Sequence, residues 1–346
     1  MSTRRFPAEW AAQSAVMLTW PHADSDWGAR LDEVEPVFAE IASQIARRET
    51  VLIVVTGTSH RQHVEQQLVR HSCLLTQVRF AIAPSNDTWA RDHGPVTVLV
   101  NGQPHLLDFI FNGWGNKHPA DRDNAINREL QRQGSFGEIP LESLDFVLEG
   151  GSIDTDGEGT LLTTRNCLLN PGRNPGLNQS EIEARLGTLL GVDRVLWLSH
   201  GYLAGDDTDS HIDMLARFCP GNTIAHVQCD DPDDEHYSEL QAMQNELAQM
   251  RTREGRPFRL MPLPWPAPVF NAQGKRLPAS YANFLVINDA VLVPQYGDEK
   301  DSQARLQLQH CFPDREVIGI NCRPLIEQSG SLHCLTMQFP AGVLQD

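Results

Sequence analysis

Hydrophobic positions along the chain alternate between two spacings, one typical of helices and one typical of buried strands. Apolar residues at 31, 34, 37, 38, 41 and 45 recur at the spacing of one helix face, and residues 51–55 form a continuous apolar run. The same succession continues to the end of the chain. It predicts helices at 31–47, 60–70, 121–132, 179–190, 233–250 and 301–310, and strands at 15–20, 51–55, 78–83, 195–198, 223–228, 284–287, 291–294 and 316–320, with shorter strands near residues 96, 106, 151, 161, 218 and 258.

The repeated unit is a pair of strands, one helix and a closing strand, which predicts an α/β fold. No Gly/Ser-rich linker or low-complexity run divides the units, and the proline-rich stretch 262–268 is typical of a stiff surface loop. Residues 1–346 are therefore expected to form a single domain.

Charge and cysteine usage narrow the possible partners. The chain has 28 basic and 45 acidic residues, a formal net charge of −17, which disfavours nucleic acid and anionic membranes and is compatible with a small cationic substrate. It contains no run of 18 apolar residues and no apolar stretch after its first residues, so we expect a soluble protein that is not exported. Its seven cysteines form no CxxC pair, which favours reduced thiols in the cytoplasm.

Polar and charged side chains interrupt the strand pattern in loops, where an α/β scaffold usually carries its site. The loop 86–95 holds Asp87, Trp89 and Asp92 within six residues. An Asx-type turn with a local ion pair between Arg91 and Asp92 would explain this loop equally well. A smaller cluster at 111–117 contains Trp114, for which a surface loop and a cleft lining both remain open.

Two further loops concentrate acidic groups. Glu149 is followed by two glycines, which allow another group to approach the backbone closely, although an ordinary turn remains an alternative. In the loop 205–213, four acids surround His211, among them Asp206 and Asp213, and Asp213 lies two residues after His211. If residues 211–213 begin a strand, His211 and Asp213 share one face. So many like charges require a cationic partner, which could be a metal, an internal arginine or a substrate.

The last of these stretches, 330–338, contains Cys334. Free cysteine is among the most buried residue types, so an inert core thiol is one interpretation and a nucleophile with distant partners is the other. If the stretch is extended, the neighbouring His333 points away from Cys334.

These motifs, taken in order, resemble the agmatine deiminase and bacterial peptidylarginine-deiminase-like family of the guanidine-modifying pentein superfamily. The resemblance is nearly end to end and is carried by FPAEW, NDTWARDHGP, FNGWGNK, LEGGSIDTDGEGTLLTT, CLLNPGRNP, GDDTDSHID, LPASYANFLVIN, VPQYGD and GSLHC. It implies a propeller of about five ββαβ units around a central pocket. It also implies that Trp89 lies against the substrate and that the catalytic set is Cys334, His211, Glu149, Asp92 and Asp213.

The chemistry of guanidine hydrolysis suits that set. A thiolate is a strong enough nucleophile for the resonance-stabilised guanidinium carbon, and a nearby cation, either imidazolium or substrate, would lower the pKa of Cys334. The two aspartates would hold the guanidinium N–H groups, and His211 would protonate the departing ammonia and then activate water. Glu149 would orient the imidazole. This scheme requires no metal and no cofactor.

The substrate and the assembly remain open at this point. Agmatine, converted to N-carbamoylputrescine and ammonia, is favoured because Asp87, Trp114, Asp206 and Asp207 could receive its amine. Free arginine, peptidyl-arginine, another guanidine or an amidino transfer are alternatives, and so is a metal-dependent hydrolase built on His211, although no HExxH motif is present. A non-catalytic guanidine-binding protein is also possible, because Ser210 and Ser331 depart from the family pattern. A homodimer is expected only from the frequency of such assemblies.

Overall fold

The computed structural model of the protein describes residues 3–344 as a mixed α/β chain. Its strands are β1 Arg4–Arg5, β2 Gln13–Thr19, β3 Thr50–Val55, β4 Val78–Ile82, β5 Val96–Val100, β6 Gln103–Ile110, β7 Leu141–Val147, β8 Ile153–Thr155, β9 Thr160–Thr164, β10 Arg194–Leu198, β11 Ala216–Cys219, β12 Thr223–Val227, β13 Arg259–Leu263, β14 Leu285–Ile287, β15 Ala290–Gln295, β16 Glu316–Asn321 and β17 Thr336–Pro340. Its helices are α1 Leu31–Ala46, α2 Thr58–Arg70, α3 Ala90–His93, α4 Gly113–Asn116, α5 Ile126–Arg132, α6 Arg165–Leu168, α7 Gln179–Leu190, α8 Tyr237–Gln249 and α9 Asp301–Cys311.

The strands of the described chain form five sheets with a shared plan. Their orders are β1-β5-β6-β7, β10-β9-β8, β11-β12-β13, β14-β15-β16 and β17-β2-β3-β4. In each sheet an antiparallel pair is followed by a parallel pair, for example β14 with β15 and then β15 with β16. The parallel pairs β6–β7, β9–β10, β12–β13, β15–β16 and β2–β3 are joined through α5, α7, α8, α9 and α1, as the geometry of parallel connections requires. The predicted repeat of two strands, one helix and a closing strand is therefore present five times.

The fifth sheet joins the two ends of the chain. Strand β17 pairs antiparallel with β2, and Thr336 lies opposite Leu18. Strand β2 in turn pairs parallel with β3. The segment just before β17, which contains Cys334, is therefore fixed beside the N-terminal part of the chain.

Helix boundaries follow local sequence signals. Helix α7 has the predicted bounds because Asn178 and Glu181 form a capping box, and Gly191 ends the helix with a φ of 74°. Helix α8 begins four residues later than predicted, since the Asp234 carboxylate accepts the backbone N–H of His236 in a turn before the helix. Helix α5 also begins late, after a 3₁₀ turn at Asp123–Ala125.

Among residues 3–344, no helix combines the length and the apolar character needed to cross a membrane. All seven cysteines are buried, and none forms a disulfide bond.

The predicted strands are present with shifts of one or two residues, whereas β1, β7 and β17 were not predicted.

Candidate active site

A cavity of about 470 Å³ reaches Cys334 from the loops around it. Trp89, Asp92 and Trp114 line it near Cys334. Besides Asp92, five carboxylates and two basic side chains line the cavity: Asp24, Asp26, Asp87, Asp123, Asp207, His118 and Arg122. The cavity is therefore strongly acidic, as expected for a cationic ligand.

Cys334 lies in a 3₁₀ turn, His333–Leu335, that directly precedes β17. Its Sγ is 3.3 Å from Asn283 Nδ2 and 3.7 Å from Asp213 Oδ2. Burial, followed by the carboxylates of Asp213 and Asp92, raises the pKa of the thiol well above its usual value. The protein around Cys334 thus favours the thiol, and a guanidinium entering between the carboxylates would favour the thiolate.

Two aspartates face Cys334 with different hydrogen-bonding. Asp92 Oδ1 accepts the backbone N–H of Gly151 at 3.0 Å, and its Oδ2 accepts the indole N–H of Trp114 at 2.9 Å. Asp213 Oδ2 lies 2.8 Å from His333 Nδ1, while its Oδ1 has no hydrogen-bond partner in the described chain. A buried carboxylate oxygen without a donor is costly, so Asp213 Oδ1 is the atom best suited to receive an N–H from a ligand.

The same two aspartates differ in acidity. Burial, and then the carboxylates of Asp213 and Glu149, raise the pKa of Asp92 to about 6 against the opposing effect of His211. Burial would also raise the pKa of Asp213, but His333 and His211 hold it below its usual value. Asp213 is therefore ionised at neutral pH, and Asp92 loses its charge on mild acidification.

His211 is buried between two carboxylates. Its Nδ1 is 3.7 Å from Asp92 Oδ1, and its Nε2 is 3.6 Å from Glu149 Oε2. Burial alone would lower the pKa of His211, but Asp92, Cys167 and Glu149 outweigh it and raise the pKa well above the usual value. The ring is therefore an imidazolium at neutral pH and has a proton available for a leaving group.

Glu149 is held in place by Arg173. The Nε of Arg173 lies 2.8 Å and 3.1 Å from the two carboxylate oxygens, and both side chains are fully buried. Burial would raise the pKa of Glu149, but His211 and Arg173 lower it. Arg173 also donates to Asp209 and to the carbonyl oxygen of Thr208, and so ties the 205–213 loop to Glu149.

Two glycines are required by close contacts in this site. A Cβ on Gly151 would lie 2.6 Å from His211 Nδ1 and 2.8 Å from Asp92 Oδ1. A Cβ on Gly330 would lie 2.2 Å from the Trp89 ring. Any side chain at either position would displace a group of the site.

The aromatic side chains are fixed by acids. The Asp87 carboxylate accepts the indole N–H of Trp89 at 3.0 Å. Burial, followed by the charge of Asp26, raises the pKa of Asp87 to about 7. Asp87 therefore both orients Trp89 and contributes to the acidic cavity.

A family model described as Porphyromonas-type peptidyl-arginine deiminase matches residues 5–340. The chain belongs to this family. The agmatine deiminase of Pseudomonas fluorescens is 34% identical over 358 residues, covering 97% of this chain and 95% of the relative. A solved C. jejuni agmatine deiminase, a cysteine-to-serine variant with substrate bound, has a TM-score of 0.91 and 38% identity over 99% of this chain and 98% of that chain. A solved Porphyromonas gingivalis protein, described provisionally as an arginine deiminase, has a TM-score of 0.93 and 51% identity, covering 99% of this chain and 100% of that chain.

In this member of the family, the structure brings eight of the nine candidate site residues together and leaves Asp206 out. Asp206 Oδ1 accepts from the backbone and hydroxyl of Thr208, and its Oδ2 accepts the backbone N–H of Ser210. Asp206 does not line the cavity, whereas its neighbour Asp207 does. The expectation that Asp206 receives a substrate amine is corrected: its carboxylate is used to shape its own loop.

Local geometry also differs from expectation in three places. Arg91 does not pair with Asp92 but donates to Glu9 at 3.1 Å and to Gln338. His211 is followed by a 3₁₀ turn at Ile212–Met214 and does not begin a strand. The stretch around Cys334 is likewise a turn, so His333 points at Asp213 and does not point away from the site.

Sequence reasoning missed Glu9, Arg173, Asn283 and His333. All four lie in motifs that carried the resemblance, namely Glu9 in FPAEW, Arg173 in CLLNPGRNP, Asn283 in LPASYANFLVIN and His333 in GSLHC. Their presence in these motifs was the only sequence signal of a role in the site, because their partners lie tens to hundreds of residues away in the chain.

One group of side chains in the described chain has ligand types suited to a metal. Ligand atoms of Glu149, Cys167 and His211 lie within 4.8 Å of one another. Arg173 already occupies both oxygens of Glu149, and the raised pKa of His211 keeps its nitrogens protonated. The arrangement is therefore better suited to ion pairing than to metal coordination.

Ser210 and Ser331, the two departures from the family pattern, are accommodated differently. Ser331 is buried and its hydroxyl lies 3.1 Å from the hydroxyl of Tyr296. Ser210 adopts a φ of 67°, in the left-handed region that favours glycine.

We expect Ser210→Gly to raise the free energy of unfolding by about 0.5 kcal/mol, because relief of the left-handed strain exceeds the added entropy of the unfolded chain. Urea denaturation measures this difference, and Ser210→Ala, which keeps the strained φ, is the control. A stability of Ser210→Gly at or below that of the alanine variant would contradict the strain argument.

Proposed function

We propose that the protein hydrolyses agmatine to N-carbamoylputrescine and ammonia through a covalent intermediate on Cys334. The observation that carries the proposal is the approach of Cys334 Sγ to Asp213, whose second oxygen lacks a donor in the described chain, within an acidic cavity that also contains Asp92. Membership of a deiminase family, with agmatine deiminases among the relatives, supports the same reaction.

In the first step, a planar guanidinium would donate N–H groups to Asp213 and Asp92 in charge-assisted hydrogen bonds. Its positive charge would lower the pKa of the neighbouring thiol, since both carboxylates that now raise that pKa would be neutralised. The Cys334 thiol passes its proton to solvent water in the cavity, and the resulting thiolate forms a bond to the guanidinium carbon. The carbon–nitrogen bond then breaks, and ammonia leaves with a proton supplied by His211.

In the second step, His211, now neutral, accepts a proton from water. The water oxygen bonds to the same carbon, the carbon–sulfur bond breaks, the hydroxyl proton passes to the departing Cys334 thiolate, and the neutral ureido product leaves. Glu149, fixed by Arg173, would keep the imidazole in place through both steps. The lowered pKa of Glu149 keeps it anionic, so it stabilises the imidazolium each time His211 regains its proton.

The outer part of the cavity favours a substrate that ends in an amine. Asp24, Asp26 and Asp207 line it, and their charges complement an ammonium group. Arg122 lines the same cavity and has no ion-pair partner in the described chain, which favours a second candidate, arginine, whose carboxylate it could bind.

Ammonia release should distinguish the candidates over agmatine, arginine, an arginine-containing peptide and a longer guanidino-amine. We expect kcat/KM for agmatine to exceed that for arginine by about 100-fold, since a carboxylate among these acids would be repelled. Arg122→Gln should leave agmatine turnover within about twofold and further lower turnover of arginine. A preference for arginine that Arg122→Gln removes would assign the second candidate, and no release from any of the four would overturn the function.

We also propose a closed five-bladed propeller, built from the five sheets as one domain, with the site at its centre. The pairing of β17 with β2 supports closure, since it joins the chain ends in the fifth unit. Reduced cysteines support a cytoplasmic location. A homodimer is proposed from the general frequency of such assemblies, and sedimentation analysis would test it.

A further inference from the structure

His333, the neighbour of Cys334, is clamped between two carboxylates. Its Nδ1 lies 2.8 Å from Asp213 Oδ2, and its Nε2 lies 2.8 Å from Glu9 Oε1. The His333 side chain is 1% exposed and that of Glu9 is 18% exposed. A turn at the C-terminal end of the chain thus connects the N-terminal segment with one of the aspartates that face Cys334.

The Glu9 carboxylate accepts hydrogen bonds from several buried side chains. It accepts from Arg91 at 3.1 Å, from Gln338 at 3.0 Å, and from Arg217. Burial would raise the pKa of Glu9, but Arg217, His333 and Arg91 hold it well below its usual value. Glu9 is therefore an anionic anchor whose charge is stabilised by two arginines as well as by His333.

Asp213 depends on His333 much more strongly. Apart from the Cys334 thiol at 3.7 Å, His333 Nδ1 is the only hydrogen-bond partner of the Asp213 carboxylate in the described chain. This contact fixes Oδ2 and leaves Oδ1 without a donor. Both ring nitrogens lie at hydrogen-bond distance from a carboxylate oxygen, so the form in which both contacts are hydrogen bonds is the imidazolium, which donates Nδ1–H to Asp213 and Nε2–H to Glu9. Asp213 would lose more than Glu9 without this ring, because Glu9 has three other donors.

We propose that His333 and Glu9 are positioning residues, in which Glu9 holds the imidazole of His333 and His333 holds the carboxylate of Asp213 so that Oδ1 meets the guanidinium. The proposal rests on the function proposed above and assigns part of that function to the N-terminal segment. The His333 ring lies between the two carboxylates, with both of its nitrogens used by them, and Glu9 lies on the far side of the ring from Asp213, so each acts through its neighbour and does not touch the substrate.

Asparagine and glutamine separate the two contacts of the ring. The Nδ2 of asparagine takes the position of histidine Nδ1 and keeps the donor to Asp213, whereas the Nε2 of glutamine takes the position of Nε2 and keeps the donor to Glu9. We expect H333N to retain kcat/KM within about fivefold of wild type. H333Q should lose about 10- to 100-fold, the usual effect of losing one hydrogen bond to a charged group, and most of the loss should be in kcat.

A double-mutant cycle tests the role of Glu9. E9Q should lower kcat/KM about three- to fivefold in the wild-type background, no more than H333N, which loses the same contact. In the H333N background, where residue 333 no longer reaches Glu9, E9Q should change kcat/KM by less than twofold. Full additivity of E9Q and H333N would show that Glu9 acts only on stability and would overturn its positioning role, and this cycle remains decisive if H333Q does not fold.

His226 offers a matched control, because it is fully buried and the one hydrogen bond of its ring within the described chain is to the carbonyl oxygen of the next residue, Val227. H226N and H226Q should have equal kcat/KM, so a difference between H333N and H333Q reports the site. An active wild type with equal H333N and H333Q overturns this proposal alone. A wild type that releases ammonia from no guanidine overturns the proposed function, and this proposal with it.

Discussion

Cys334→Ala should reduce kcat for ammonia release from agmatine by at least about 10⁴-fold, a barrier increase of about 5 kcal/mol. The size of the effect follows from the chemistry, since the guanidinium carbon is stabilised by resonance and no other cysteine of the described chain lines the cavity. A discontinuous ammonia assay with long incubation measures this residual rate.

The same variant should still bind the guanidine. Asp92 and Asp213 supply the charge-assisted hydrogen bonds, and their contacts with Trp114, Gly151 and His333 do not involve the thiol. Titration calorimetry of Cys334→Ala with agmatine should therefore give a dissociation constant within about tenfold of the wild-type KM. Loss of binding together with turnover would point to a collapsed site and not to a missing nucleophile.

Cys229 provides the control for this experiment. It is a fully buried free thiol outside the cavity, and its Sγ contacts only the carbonyl oxygen of Asp231. Cys229→Ala should keep kcat within about twofold. If Cys334→Ala retained more than about 1% of wild-type turnover, Cys334 would not be the nucleophile.

Regular elements were predictable because each is specified by its own stretch of sequence. Helix α1 has a continuous apolar face, with Val34, Phe38, Ile41 and Ile45 all fully buried, and its predicted and observed bounds differ by one residue. Strand β7 was missed because only Phe146 and Val147 of its seven residues are buried. Its position is decided by pairing with β6, which a local pattern does not contain.

The arrangement of the site was harder to predict than the identity of its residues. Residues of the site were named from motifs, but the contacts that hold them join positions far apart, such as Glu149 with Arg173 and Glu9 with His333. Asp206 illustrates the limit, since a carboxylate in an acidic loop has the same sequence signature whether it binds a ligand or its own backbone. His333 illustrates the converse, because an extended segment and a 3₁₀ turn direct neighbouring side chains differently.

Asp92→Asn should lower kcat/KM by on the order of 10³-fold, about 4 kcal/mol, because one substitution removes two interactions. The guanidinium loses an anionic partner, and His211, whose pKa Asp92 raises, loses part of the field that keeps it protonated for the leaving ammonia. The amide oxygen introduced by this substitution could still accept from Gly151 or Trp114, so the fold should survive.

The pH profile gives this prediction its sharpest test. Burial raises the pKa of Asp92 to about 6, so the charged form is present above pH 6 and is lost as the pH falls through that value. Wild-type kcat/KM should therefore fall about tenfold per pH unit below 6. The pKa values of Asp213 and Glu149 are lowered and that of His211 is raised, so these three groups keep their charge across the same interval.

Asp154 supplies a matched control, because burial raises its pKa to about 7 and it does not line the cavity that reaches Cys334. Its carboxylate accepts the backbone N–H of Phe218 and of Thr155. Asp154→Asn should keep the fall in kcat/KM below about pH 6. Asp92→Asn should have a much lower kcat/KM that no longer falls in this way. An acid limb that persists unchanged in Asp92→Asn would assign the titrating group elsewhere and remove Asp92 from guanidinium binding.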